Sequence, residues 1–152
     1  MTSNCATVTV TNYSAKTWVS GATWSTATWS PAGVPGACDS VVIGGTVTNS
    51  SATSVGSLTI VSGGSLTASS AITVNSAGYF TINNGGTYTN SNSSAWSSTI
   101  FQGTESFGAS STINVNSDDG NGNMTSSSSS NFGNVYYNIN SGAFYTVESD
   151  FG

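Results

Sequence analysis

The side chains that could carry out acid–base chemistry are few in this sequence. There are six carboxylates, one basic residue and no histidine, so neither a Ser-His-Asp nor a Cys-His arrangement can form. A glycosidase needs only two carboxylates about 5–10 Å apart, but no basic or aromatic residues surround these in the pattern of a cleft. We therefore expect no enzymatic activity, and a polysaccharide-degrading β-helix enzyme is an alternative. The six carboxylates are Asp39, Glu105, Asp118, Asp119, Glu148 and Asp150.

One oxygen-rich loop is a candidate calcium site. Its ligands would be Asp118, Asp119, Asn121 and Asn123, because Ca²⁺ takes oxygens from carboxylates, amides and carbonyls on a flexible loop. The loop lacks the usual glycine at its sixth position, where Met124 stands, and it lacks the later bidentate glutamate. The alternative is a solvated loop whose Asp, Asn and Gly residues simply favour turns. No other cofactor is expected.

Three tryptophans near the N-terminus allow two interpretations. Trp18, Trp24 and Trp29, together with Tyr13, could form an exposed aromatic platform that stacks on sugar rings, which would make the chain a carbohydrate-binding module. Alternatively, the indoles form a cap. A stacked-repeat protein must cover its open end, and indoles bury a large area.

The two cysteines, Cys5 and Cys38, predict one disulfide bond formed in an oxidising compartment. It would join the N-terminal segment to the first repeat. The alternative is a pair of buried free thiols.

Charge excludes several classes of partner. The formal net charge is −5 and Lys16 is the only basic residue, so nucleic-acid binding, which depends on Lys and Arg at phosphates, is not expected. Electrostatic attraction to anionic lipid fails for the same reason, and no apolar run is long enough to cross a bilayer. The N-terminus has no signal-peptide pattern, so a secreted chain would have lost its leader. We expect a secreted or cell-surface location, with self-association, other surface proteins or glycans as partners.

The elements that must position the candidate residues are short strands. Between residues 41 and 90 a unit recurs that consists of apolar-Thr-apolar, then Asn or Ser, then Gly. Leu58 and Leu66 are eight positions apart, as are Ile72 and Phe80. Units this short cannot bury a face alone and must stack as a solenoid, with Gly-Gly and Asn-Gly at the corners. Alternation places six side chains inside: Leu58, Ile60, Ile72, Val74, Phe80 and Ile82.

The outward side chains of these units are mostly hydroxyls. Flat threonine arrays on solenoids bind ice, but threonine is also a default solvent-facing strand residue, and regular T-x-T rows do not continue through successive units. We therefore do not predict ice binding from the sequence. The outward residues are Thr59, Thr67, Thr73, Thr81, Thr87 and Thr89.

The chain divides into two parts. Residues 1–40 form an N-terminal strand, Thr7–Thr11, and a capping segment, and residues 41–152 form solenoid repeats that we expect to continue beyond Gly152. The sequence predicts an all-β fold with almost no helix, because no segment has helical spacing of apolar residues. Beyond the clearest repeats, strands are predicted at Ser98–Gln102, Thr112–Asn116, Asn134–Asn140 and Phe144–Glu148.

The phrase Val34-Pro-Gly-Ala-Cys-Asp-Ser-Val-Val-Ile43, after the Trp-rich stretch and before GSLTIVSGGSLT at 56–67, resembles repeat-containing surface proteins exported by the bacterial type IX secretion system. A later FGNVYYNI at 132–139 resembles another phrase of that family. The resemblance implies a right-handed parallel β-helix within a large adhesin or surface-layer component, and it favours the tryptophan cap. It also implies O-glycosylation at Ser40, within Asp39-Ser40-Val41. We therefore expect a non-catalytic structural or adhesive module that can assemble into fibres.

Overall fold

The computed structural model describes residues 13–91, 104–117 and 134–139. Within these ranges the chain forms strands and turns without helix. The strands are β1 (Ser14–Ser20), β2 (Thr28–Ser30), β3 (Asp39–Ile43), β4 (Thr46–Asn49), β5 (Thr53–Val55), β6 (Ser57–Ile60), β7 (Ser65–Ala68), β8 (Ile72–Val74), β9 (Tyr79–Ile82), β10 (Thr87–Asn90), β11 (Thr104–Phe107), β12 (Thr112–Ser117) and β13 (Asn134–Ile139).

The strands form three sheets, and the chain visits each sheet in turn. Sheet A has the order β11-β9-β6-β3-β1-β2, sheet B the order β13-β12-β10-β7-β4, and sheet C consists of β5 and β8. All pairings are parallel except that of β2 with β1. The predicted all-β parallel solenoid is therefore confirmed, and it has about four turns, which we call rungs.

Inward side chains stack in columns from rung to rung. In sheet A, Val41 lies on Leu58 and Leu58 lies on Phe80. In sheet B, Val47 lies on Leu66, which lies on Tyr88. All six are at most 2% exposed. The six side chains predicted to point inward are likewise buried, which confirms the alternation.

The unit recognised in the sequence is one strand and not one rung. Leu58 and Leu66, eight positions apart, belong to different sheets of the same rung. Leu58 pairs with Phe80, 22 positions later. Successive units therefore turn a corner, and stacking occurs between one rung and the next, because a coil with three faces needs several short strands to complete one turn.

The corners between sheets A and B show why glycine recurs. Gly63 and Gly85 have φ of +78° and +77°, a region that costs L-residues with a Cβ roughly 1–2 kcal/mol. The two glycines occupy equivalent corners of successive rungs, where the Gly63 amide donates to the Gly85 carbonyl at 3.1 Å. The Gly-Gly signal thus marks real corners.

Among the strands predicted outside the clearest repeats, Thr112–Asn116 and Asn134–Asn140 correspond to β12 and β13, within one or two residues at their ends. Thr7–Thr11, Ser98–Gln102 and Phe144–Glu148 lie outside the described residues. In the described part of the chain, no helix has the length and apolar character required to cross a membrane.

Candidate functional site

The N-terminal end of the solenoid is closed by the chain folding back on itself. β1 pairs in parallel with β3, so it belongs to the coil and not to a separate segment. The chain then crosses to sheet B, where the Trp24 amide donates to the Thr48 carbonyl at 2.9 Å. It returns as β2, which pairs antiparallel with β1. This reversal ends the parallel stacking of sheet A.

Two of the three tryptophans fill the end of the core. Trp24 and Trp29 are each 3% exposed, and their ring centroids lie 5.0 Å apart at an angle of 57°. The Trp29 indole N–H donates to the Trp24 carbonyl at 3.1 Å. Trp18 is half-buried against the same core. An exposed three-indole platform is therefore wrong for Trp24 and Trp29, because covering the apolar end of the coil places their rings inside.

The position of the Trp18 indole requires close contact with the backbone of the next rung. A Cβ added at Gly45 would collide with the six-membered ring of Trp18, so the glycine makes room for the indole. The Trp18 indole N–H donates to the Gly21 carbonyl at 2.9 Å. Gly45 thus belongs to the cap although it lies in the first repeat after it.

Lys16, the only basic residue, is used by the same cap. Its ammonium group donates to the carbonyls of Pro31 and Ala32 at 3.1 and 2.9 Å. Both acceptors lie in the turn after β2. The single positive side chain therefore holds a loop in place instead of standing ready for an anionic substrate.

A shallow pocket beside the cap is too small for a sugar ring site. It has a volume of about 110 Å³ and is lined in part by Trp24, Val34 and Asn49, whereas small-molecule sites usually measure about 300–1,000 Å³. Asn49 is 1% exposed and its amide donates to the Ser70 carbonyl at 3.4 Å. Water is the occupant that fits this volume.

The two carboxylates in the described part of the chain do not form a catalytic pair. Asp39 accepts a hydrogen bond from the Gly36 amide at 2.9 Å and closes the turn before β3. Glu105 is buried on β11, below Phe80 in an inward column. Three strand spacings separate β3 from β11, about 14 Å, which exceeds the separation that glycosidases use.

Two further candidate residues from the sequence, Cys38 and Ser40, lie at the start of β3 or just before it. Cys38 is disulfide-bonded, and the only other cysteine of the sequence, Cys5, lies outside the described residues, so the predicted pairing stays a prediction. Ser40 is half-buried on β3, a strand flanked by β1 and β6.

The candidate calcium ligands Asp118, Asp119, Asn121 and Asn123 also lie outside the described residues, as do Glu148 and Asp150. Within the described ranges, no group of three or more His, Cys, Asp or Glu side chains is placed to hold a metal ion.

The outward hydroxyls are distributed over all three sheets. Thr59 and Thr81 are neighbours in sheet A, Thr73 lies in sheet C, and Thr67, Thr87 and Thr89 lie in sheet B. In sheet B the T-x-T motif occurs at Thr46 and Thr87, and Ser65 and Asn114 replace a threonine on the other two strands. These related motifs recur once per rung and not once per unit, so they are far apart in the sequence.

Comparison with protein families, with curated proteins and with solved structures finds no match to this chain.

Proposed function

We propose that this chain is a non-catalytic structural or adhesive module of a bacterial surface protein. The observation that carries the proposal is the stack of in-register parallel rungs, closed at one end by buried tryptophans. The outward side chains of the sheets are mostly polar and uncharged, while apolar side chains fill the interior. The usable surface of such a stack is the outer faces of its sheets.

The proposal includes a location outside the cell, which two further features support. Cys38 is disulfide-bonded, and disulfides persist in oxidising compartments. A sequence with 5% charged residues leaves few strong electrostatic attachments to nucleic acid or anionic lipid. The resemblance to type IX-secreted surface proteins supports the same location.

The cap restricts how copies of the chain can associate. An exposed parallel sheet edge templates pairing with another chain, but β2 covers that edge of sheet A and the Ala22–Trp24 segment covers β4. Growth of a fibre through the N-terminal end is therefore disfavoured. Self-association would use the outer faces of the sheets or the end of the coil opposite the cap.

Adsorption of the full chain tests the proposal. The mass of protein that adsorbs is measured on surfaces coated with the same chain and on films of pectin, alginate, cellulose and chitin. Reducing sugar ends released into solution are measured at the same time. We expect adsorption to at least one surface without release of sugar. Steady product release would establish an enzyme, and adsorption to none of the surfaces would contradict the adhesive role.

A further inference from the structure

The outer face of sheet B carries two regular columns of hydroxyl side chains, which we call the hydroxyl face. Each of four successive strands contributes residues at positions i and i+2, and the apolar or aromatic residue between them points inward. One column is Thr46, Ser65, Thr87 and Thr112, and the other is Thr48, Thr67, Thr89 and Asn114. Six of these eight residues are threonine.

The columns form a grid because the pairing is parallel and in register from β4 to β12. Neighbours in a column are about 4.8 Å apart, and the two columns are about 6.6 Å apart, which is twice the rise per residue of a parallel strand. Asn114 donates to the Thr89 hydroxyl at 3.2 Å, so these two neighbours in the second column lie on the same side of the sheet. Thr23 pairs with Thr48 and continues the second column toward the cap.

The grid is also rigid. The residues between the columns, Val47, Leu66, Tyr88 and Ile113, are at most 2% exposed and fix the strands against the core. Threonine is β-branched and has restricted χ1 rotation, so its hydroxyl and methyl are held in place before any contact. Little side-chain entropy remains to be lost on binding.

The chemistry of the face selects a neutral and periodic partner. No charged residue occurs in β4, β7, β10 or β12, so ions have no attraction to it. The aromatic residue of β10, Tyr88, points inward, and from β4 to β12 the columns contain no ring on which a soluble sugar could stack. By register the two columns continue on β13 at Asn134 and Tyr136, so the uniform grid comprises the four strands from β4 to β12. A grid that repeats in two directions gains most from a surface that also repeats in two directions.

We propose that the hydroxyl face binds ice. Oxygen atoms on ice surfaces repeat in two perpendicular directions at distances close to those of the grid, and each can both donate and accept hydrogen bonds, as can a threonine hydroxyl. The threonine methyls fill the spaces between surface water molecules. This activity goes beyond the proposed structural role and does not depend on where the protein is located.

The outer face of sheet A provides an internal comparison. One of its columns runs Thr17, Val42, Thr59, Thr81 and Ser106, and is therefore interrupted by an apolar residue. The other column contains Tyr79, which is 59% exposed and projects beyond its neighbours. Sheet A thus has scattered hydroxyls in the same fold without the double grid.

The test is partitioning of the full chain into slowly grown ice, together with thermal hysteresis. We expect the unmodified chain to enter the ice and to show hysteresis. Thr67→Lys, at the centre of the grid, should abolish both effects, whereas Thr81→Lys, a matched change on sheet A, should retain them. Circular dichroism checks that both variants are folded. Exclusion of the unmodified chain from ice, or equal loss in both folded variants, would overturn the proposal.

A second variant tests the grid by improving it. Ser65→Thr completes its column and should raise the fraction of protein captured by ice, since it adds a methyl between Thr46 and Thr87. No change or a decrease would count against a lattice match. Binding of the unmodified chain to crystalline cellulose or chitin but not to ice would assign the face to a different solid and overturn the proposal.

Discussion

Phe80 lies at the centre of the core and shows at residue scale what holds the rungs together. It is fully buried and makes edge-on ring contacts with Tyr88 and Phe107, at centroid distances of 5.4 and 5.6 Å. Tyr88 lies on the neighbouring sheet and Phe107 on the next rung. One ring therefore links two sheets and two rungs.

Phe80→Ala should lower the free energy of unfolding by about 3–5 kcal/mol, since it removes a buried ring and leaves a cavity. The matched control is Tyr79→Ala. Its side chain is 59% exposed, so the change should stay within about 0.5 kcal/mol. Urea denaturation measures both, and similar losses in the two variants would contradict the inward and outward assignment.

The buried phenol of Tyr88 should make the free energy of unfolding depend on pH in the alkaline range. Burial raises the pKa of its phenol well above the ordinary value. The unfolded chain loses this proton near pH 10, whereas the folded chain keeps it. Above that pH the folded state binds more protons, so the free energy of unfolding falls as pH rises, by up to about 1.4 kcal/mol per pH unit.

Urea denaturation between about pH 9 and pH 11 measures this slope. Tyr88→Phe should flatten it, because the variant lacks the buried phenol. An identical slope in the Tyr88→Phe variant would mean that another group governs the alkaline loss.

At the scale of single elements, the corner residue Gly63 is required for its backbone conformation and not for packing. A Cβ at Gly63 would meet nothing within 4 Å, and the same is true at Gly36. Of these two glycines, only Gly63 has a positive φ. Gly63→Ala should therefore cost roughly 1–2 kcal/mol, and Gly36→Ala should be close to neutral. Thermal unfolding compares the two, and equal stability would argue against the left-handed corner.

The cap makes a second prediction at this scale. Trp24→Ala should destabilise the chain by about 3–5 kcal/mol, because the indole is buried against Trp29 at the end of the core. A sugar-stacking Trp24 would instead lose glycan binding at unchanged stability. A thermal melt with a glycan array separates the two roles.

Local pattern predicted the strands and their buried faces well, because alternation is a property of neighbouring residues. The pairing partners were not predictable in this way. Val41 pairs with Leu58 after 17 positions and Leu58 with Phe80 after 22, so no constant period exists for the sequence to show. The hydroxyl face was missed for that reason. Aligning the hydroxyl-apolar-Thr motifs that begin at Thr46, Ser65 and Thr87 would have found it.

At the scale of the whole molecule, the described residues form a short parallel coil that is closed at its N-terminal end and presents the outer faces of its sheets. The antiparallel β2 and the two buried tryptophans turn a repeating coil into one with a defined beginning. The tryptophans of the cap were recognisable from the sequence, but their burial was not, since an indole serves equally well in a core or on a binding surface.

Electron microscopy of the purified full chain over a range of concentrations tests this account most directly. It predicts particles that remain single or associate through the outer faces of their sheets. Long fibres built by end-to-end stacking through the capped end would contradict it.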